Sequence, residues 1–269
     1  MKTILLYATE DNGMESRLQV ALDVARAFEG HLDCVQVTPY DSVIMGDAFG
    51  GVYALPNVVA AVEEAEDAHK ARIEQRLTVE GASWNWFRYI GQPWQIMEER
   101  SRLADLIVVS LPGEEGSNAG PRSLAADVAL HARAPVLAVA RETRSFNCFG
   151  PAMIAWNGSP EAAHALQLTL PMLQKASAIH IVTIAEGKEA FPPTDASVYL
   201  SRHGLASELH EWPAGEGSVA DALQNAAATL GAAYVVMGAY GHSRFSEAVL
   251  GGVTRDFLRH SAVPLLLAH

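Results

Sequence analysis

Residues 104–110 read ADLIVVS, and residues 232–238 read AAYVVMG. Downstream of the first, His131-Ala-Arg-Ala-Pro135 leads into VLAV. Downstream of the second, His260-Ser-Ala-Val-Pro264 leads into LLLA. The two runs start at 104 and 232, an offset of 128 residues, and the two prolines are offset by 129. A one-residue slip is what a loop insertion leaves. Self-similarity at one long period marks a duplicated structural unit.

The match extends outward from these runs. Thr3-Ile-Leu-Leu-Tyr-Ala8 is followed by Thr9-Glu-Asp-Asn, and Pro151-Ala-Met-Ile-Ala-Trp156 by Asn157-Gly-Ser-Pro. An amphipathic stretch comes next in each copy, Glu15–Phe28 and then Pro160–Lys175. Second apolar runs follow at Leu32–Val37 and Ala178–Ile184. Each copy therefore reads as five strands alternating with four helices. Uninterrupted apolar runs of this length suit strands buried on both faces. Their alternation with helices predicts a parallel sheet with right-handed crossovers. The pattern breaks at RETRSFNCFG, Arg141–Gly150, which divides the chain into units 1–144 and 150–269.

Local signals sharpen the second unit. Ser159 is placed to cap a helix whose first position is Pro160, where a missing N–H costs nothing. Pro171 should end or kink that helix. Ser218 and Asp221 form a capping pair, and Gly231 a C-terminal stop.

The strand ending in Met237 runs into Gly238-Ala-Tyr-Gly241-His242-Ser-Arg-Phe-Ser-Glu-Ala-Val-Leu-Gly251-Gly252-Val253-Thr254, with the spacing G-x2-G-x9-G-G. Open parallel sheets bind ligands beyond the carboxyl ends of their strands, where the strand order reverses. Glycines there let a ligand approach the backbone and can take positive φ. Gly251 and Gly252 lead into a helix start, whose N–H groups and dipole attract anions. Asn157 and Gly158 end the first strand of the same unit and should face the same crevice. On this reading Gly238→Val blocks ligand approach and leaves the fold intact.

Bulk properties narrow the alternatives. The formal charge of −12 opposes a nucleic-acid partner. Cys34 and Cys148 stand in no CxxC or zinc-finger spacing, so no disulfide framework or metal site is expected. No stretch reaches 18 apolar residues, and the apolar run of MKTILLYATED is too short for a signal peptide. The expected compartment is the cytoplasm, without membrane contact.

The segment GAYGHSRFSEAVLGGVTRDFLRHSAVPLLLAH resembles the C-terminal signature of the universal stress protein family, whose nucleotide-binding members read G-x2-G-x9-G-(S/T). MIAWNGSPEAAHAL resembles the family's first strand and helix, where Asp-Gly-Ser is usual. The resemblance is strongest over 152–269. It implies two open five-stranded parallel α/β sheets of order 3-2-1-4-5, flanked by helices. They would pack as an intramolecular pseudo-dimer through their terminal strands, in a monomer or homodimer. It also implies an adenine nucleotide, ATP or AMP with or without Mg. Asn157 and Gly158 would lie near the adenosine and Val182 and Thr183 near the base. Met237, Gly238, Gly241, His242, Gly251, Gly252, Val253 and Thr254 would surround ribose and phosphates.

Two departures are visible. Asn157 stands for the usual aspartate, adding a donor to the site. Gly252 stands for the usual Ser/Thr, removing a hydroxyl. In the first copy Ser110-Leu-Pro-Gly113 is followed by Glu114-Glu115, which would repel phosphate, and the final glycine pair is missing. That copy is read as a structural partner. Its segment Pro39–Leu55 is either a pocket lining or a surface loop.

The GEGSVA stretch, Gly215–Ala220, matches a dinucleotide fingerprint, but helix capping by Ser218 accounts for it. Trp84 and Trp86 are read as packing residues. No set of base, nucleophile and metal-holding carboxylates emerges, so no catalytic residue is assigned. The expected role is nucleotide-linked stress signalling by binding. The alternatives are a scaffold that binds no nucleotide and a slow ATP hydrolase using His242.

Overall fold

A computed structural model describes the chain except residues 44, 47–51, 54–55, 113–122, 185–191, 214, 216 and 240–251. The first repeat comprises β1 (Thr3–Tyr7), α1 (Met14–Phe28), β2 (His31–Thr38), α2 (Tyr40–Val43), β3 (Met45–Gly46), β4 (Val52–Tyr53) and α3 (Pro56–Val79). It continues through β5 (Ser83–Ile90), α4 (Pro93–Arg100), β6 (Leu106–Ser110), α5 (Leu124–His131) and β7 (Val136–Val139). The second comprises β8 (Ala152–Ala155), α6 (Pro160–Leu168), α7 (Leu170–Leu173), β9 (Ile179–Ile184), α8 (Pro193–Arg202) and β10 (Glu208–Trp212). It ends with α9 (Val219–Thr229), β11 (Tyr234–Gly238), α10 (Gly252–His260) and β12 (Leu265–Ala268).

The strands form one sheet of order β10-β9-β8-β11-β12-β7-β6-β1-β2-β5. Each half has the expected order 3-2-1-4-5. Every neighbouring pair is parallel except β12 with β7, which meet antiparallel through Leu265↔Ala138, Leu266↔Leu137 and Leu267↔Val136. These six residues are fully buried. Each large aliphatic among them contributes about 1.5–3 kcal/mol of burial, so the two repeats share one core.

Burial explains the strand sequences. β1, β6, β7, β11 and β12 lie inside the sheet and are almost wholly apolar. The edge strands β5 and β10 interleave polar with aromatic or aliphatic residues and are partly exposed. One apolar layer holds residues of α1, α3, α6, α7 and α8. The other holds residues of α4, α5, α9 and α10.

The helix signals appear as read. Ser159 Oγ accepts the Ala162 N–H at 3.1 Å, with Pro160 inside the first turn. Ser218 and Asp221 make a reciprocal capping box. Gly231, at φ +61°, closes α9. The helix starting at Pro160 breaks at Thr169, and Pro171 stands in the first turn of α7. The seam differs from a loose polar linker. Phe146 and Cys148 are buried, Phe146 lies against Tyr234 with ring centroids 5.6 Å apart, and its N–H donates to Asp23 at 2.8 Å. Within Pro39–Leu55 the described parts are α2 and the small antiparallel pair β3–β4.

Candidate functional site

Strand order reverses between β1 and β6 in the first repeat and between β8 and β11 in the second. These are the two places where an open parallel sheet can hold a ligand. They differ in what fills them.

In the first repeat the crevice holds Arg17, which is 1% exposed. Its Nε donates to Tyr7 O at 2.8 Å and Nη2 to Thr9 O at 2.7 Å. Nη1 donates to Asp11 Oδ1 at 2.8 Å and to Ser110 Oγ at 2.7 Å. One guanidinium thus joins the end of β1 to the end of β6. Its planar donors suit this role as a lysine's would not. On the α3 side, His69 is buried, donates through Nε2 to Ala8 O at 2.8 Å and meets Arg72 Nη2 through Nδ1 at 3.0 Å. Glu114 and Glu115, expected to repel phosphate, lie outside the described residues, and the cause of closure that the structure shows is Arg17.

Backbone bonds set the correspondence between repeats. The Ala8 N–H donates to Val35 O at 2.8 Å, as the Trp156 N–H does to Val182 O at 2.8 Å. Counting from this rung, Met14 matches Ala162, Leu18 matches Leu166, and all four are buried. Arg17 matches Ala165, also fully buried. Among the described residues, the second repeat therefore has a small side chain at the position that plugs the first crevice.

A second exchange concerns where helix meets strand. A Cβ on Gly13 would stand 2.3 Å from Ser110 Oγ. A Cβ on Gly238 would stand 2.6 Å from Ala162 N and 2.7 Å from the carbonyl carbon of Glu161. Gly13 matches Glu161, and Ser110 matches Gly238. In one repeat the glycine lies at the helix start, and in the other at the strand end. Either way the helix passes over the strand at backbone contact. The expectation that Gly238→Val would spare the fold is thereby overturned: the space beside Gly238 belongs to α6.

Asn157 and Gly158 follow β8, beside the end of β11. Asn157 Oδ1 accepts the Ser159 N–H at 3.1 Å, and Gly158 has φ +69°. Val182 and Met237 lie in the core, while Thr183 is buried in β9 with Oγ1 3.4 Å from His210 O. Gly252, Val253 and Thr254 form the first turn of α10, where Thr254 is buried and Val253 is at the surface. β12 starts beside Val235, near the amino end of β11. α10, nine residues long, must therefore begin at the carboxyl side of the sheet. Gly241, His242 and Gly251 lie outside the described residues.

Other groups here were not singled out from sequence. His164 Nδ1 donates to His269 O at 2.6 Å, and His269 Nδ1 donates to Ala239 O at 2.8 Å, fixing both tautomers. These bonds tie β12 to the root of the glycine loop. Among the described residues, Glu161 Oε2 is buried without a hydrogen-bond partner. A charge on the buried stripe of α1 was the sequence signal for Arg17. The bonds of His164 and His269 leave no such trace.

The universal stress protein family model matches residues 149–269. The second half of the chain is a universal stress protein domain. A universal stress protein from Archaeoglobus fulgidus DSM 4304 is 15% identical with TM-score 0.77, covering 99% of this chain and 95% of that chain. A universal stress protein from Pseudomonas aeruginosa UCBPP-PA14 is 16% identical with TM-score 0.56, covering 100% of this chain and 93% of that one. At these identities the likeness is one of fold, and it spans both repeats. A universal stress protein solved in complex with cAMP is 22% identical with TM-score 0.33, covering 52% of this chain and 98% of that chain. No curated protein matches the chain. Among the described residues, no helix of this universal stress protein fold is long and apolar enough to cross a membrane.

Proposed function

We propose that this protein binds one adenine nucleotide, ATP or AMP, in the crevice of residues 150–269, while residues 1–144 serve as the structural partner. The role is stress-linked signalling by binding, in the cytoplasm, without dedicated catalysis. The observation that carries the reading is the contrast between Arg17 and Ala165. The same position of the fold is plugged in one repeat and small in the other. In the second repeat Gly238 ends β11 and Gly252 starts α10, the two ends of the glycine-rich stretch.

The residues present fit such a ligand in three ways. The first turn of α10 offers N–H groups and a favourable dipole end to phosphates. Gly158 keeps the β8 end low. Among the described residues Glu161 Oε2 has no donor, and a ribose hydroxyl or a water on nucleotide-bound Mg would supply one. Gly238 does not contribute space, because α6 already occupies it. That last observation favours the second reading, a scaffold that binds no nucleotide.

Calorimetric titration of the full chain with ATP, and mass spectrometry of small molecules released on denaturation, separate the two. Binding near one site per chain, or recovered ATP or AMP, supports nucleotide binding. No heat at millimolar ATP and no released adenine compound leaves the scaffold.

A further inference from the structure

On β9 and β10, away from the switch point, three metal-ligating side chains converge. The parallel register pairs Glu208 with His180 and His210 with Val182. Alternation along β10 puts Glu208 and His210 on one face, and His180 shares it. The result is a triangle of donor atoms. His180 Nδ1 lies 3.1 Å from His210 Nε2, Glu208 Oε2 lies 3.5 Å from His180 Nδ1, and it lies 3.7 Å from His210 Nε2.

These edges suit one particular geometry. Two ligands each about 2.05 Å from a tetrahedral zinc ion stand about 3.3 Å apart. The observed triangle needs shifts of only a few tenths of an ångström to meet that spacing. Two imidazoles and one carboxylate are a donor set zinc accepts, and the fourth corner would face solvent. The imidazole side chains are 12% and 24% exposed, so their positions are largely fixed by packing, whereas the Glu208 side chain is 73% exposed and free to swing onto the ion.

We propose that His180, His210 and Glu208 form a zinc site, with His180 binding through Nδ1, His210 through Nε2, and water at the fourth position. His180 and Glu208 belong to the first turns of pleat of their strands, whereas the nucleotide crevice lies beyond the carboxyl ends of β8 and β11. No residue is shared, so the zinc and nucleotide proposals stand or fall separately.

The test uses the tag-free full chain, stripped with chelator and held without nucleotide. Zinc is titrated in competition with a chromophoric chelator. One zinc per chain is expected. Loss of one outer-sphere partner already costs roughly 10–100-fold in affinity, so His180→Ala and His210→Gln should each lose at least about 100-fold. Glu208→Gln should lose less, about tenfold, because water can replace an exposed ligand. Cobalt should give the intense visible bands of a tetrahedral site in the native chain and lose them in His210→Gln. Circular dichroism checks that the variants keep their fold. Failure of the native chain to bind zinc, or unchanged zinc affinity in the His180→Ala/His210→Gln double variant, would overturn the proposal.

Discussion

Arg17 and Ala165 occupy the same place in two copies of one fold. The first ties two strand ends together with a buried guanidinium, and the second leaves that place small. The contrast shows how one of two equivalent switch points can be filled as a structural joint. A switch point carries strand-end carbonyls that need donors. Arg17 supplies them. The Gly13–Ser110 and Glu161–Gly238 contacts show the complementary lesson. There both repeats keep the same close approach and differ only in which partner gives up its side chain.

Four substitution or titration experiments sharpen this comparison. Arg17→Ala should have the largest effect, lowering stability by about 3 kcal/mol or more, because the buried acceptors Tyr7 O and Thr9 O lose their donor. Urea denaturation measures it. Ala165→Gly, at the matching position, should cost far less.

Gly238→Ala comes next, at about 1–3 kcal/mol, since the new methyl meets backbone rather than a movable side chain. Gly13→Ala meets Ser110 Oγ instead, so adding Ser110→Gly should restore part of the loss. A double-mutant cycle should show coupling of about 0.5–3 kcal/mol. Additivity would break the exchange argument.

Ser218→Ala should cost about 1 kcal/mol, through loss of the capping box that starts α9. Asp221 reports the same cap. Its hydrogen bonds to the Ser218 backbone, then to the Ser218 hydroxyl, lower its pKa. Its contribution is present above the unfolded carboxylate pKa and is lost as pH falls through the lower folded value. The acid side of the stability profile should therefore flatten in Ser218→Ala.

The last effect is confined to alkaline pH. Burial raises the Cys34 and Cys148 thiols to about 12. A raised thiol pKa stabilises the fold below the unfolded value near 9 and withdraws that stability as pH rises from there to about 12. Both thiols should resist a thiolate-selective reagent at pH 8 and react on unfolding. Rapid reaction of either one in the native protein would contradict its burial.

Much of the fold was legible. Apolar runs such as ADLIVVS and AAYVVMG announced buried parallel strands, because a strand covered on both faces has no polar side to show. Caps at Ser159 and Ser218 were legible because they act within three residues. The switch point was legible as a place, at the end of β8 that Asn157 follows, but not in detail. The reason for Gly238 lay in the path of α6, which no local pattern records. Arg17 reads as an ordinary helix cation until the partners at residues 7, 9, 11 and 110 are assembled around it. The cluster of His180, Glu208 and His210 was not read from sequence, because His180 joins the other two only through the parallel register of β9 with β10.

Hydrogen–deuterium exchange of the full chain, with and without saturating ATP, tests the central claim most directly. The account predicts protection confined to the peptides covering residues 156–162 and 252–258, with residues 9–17 unchanged. Protection over residues 9–17, or no protection anywhere at millimolar ATP, would contradict it.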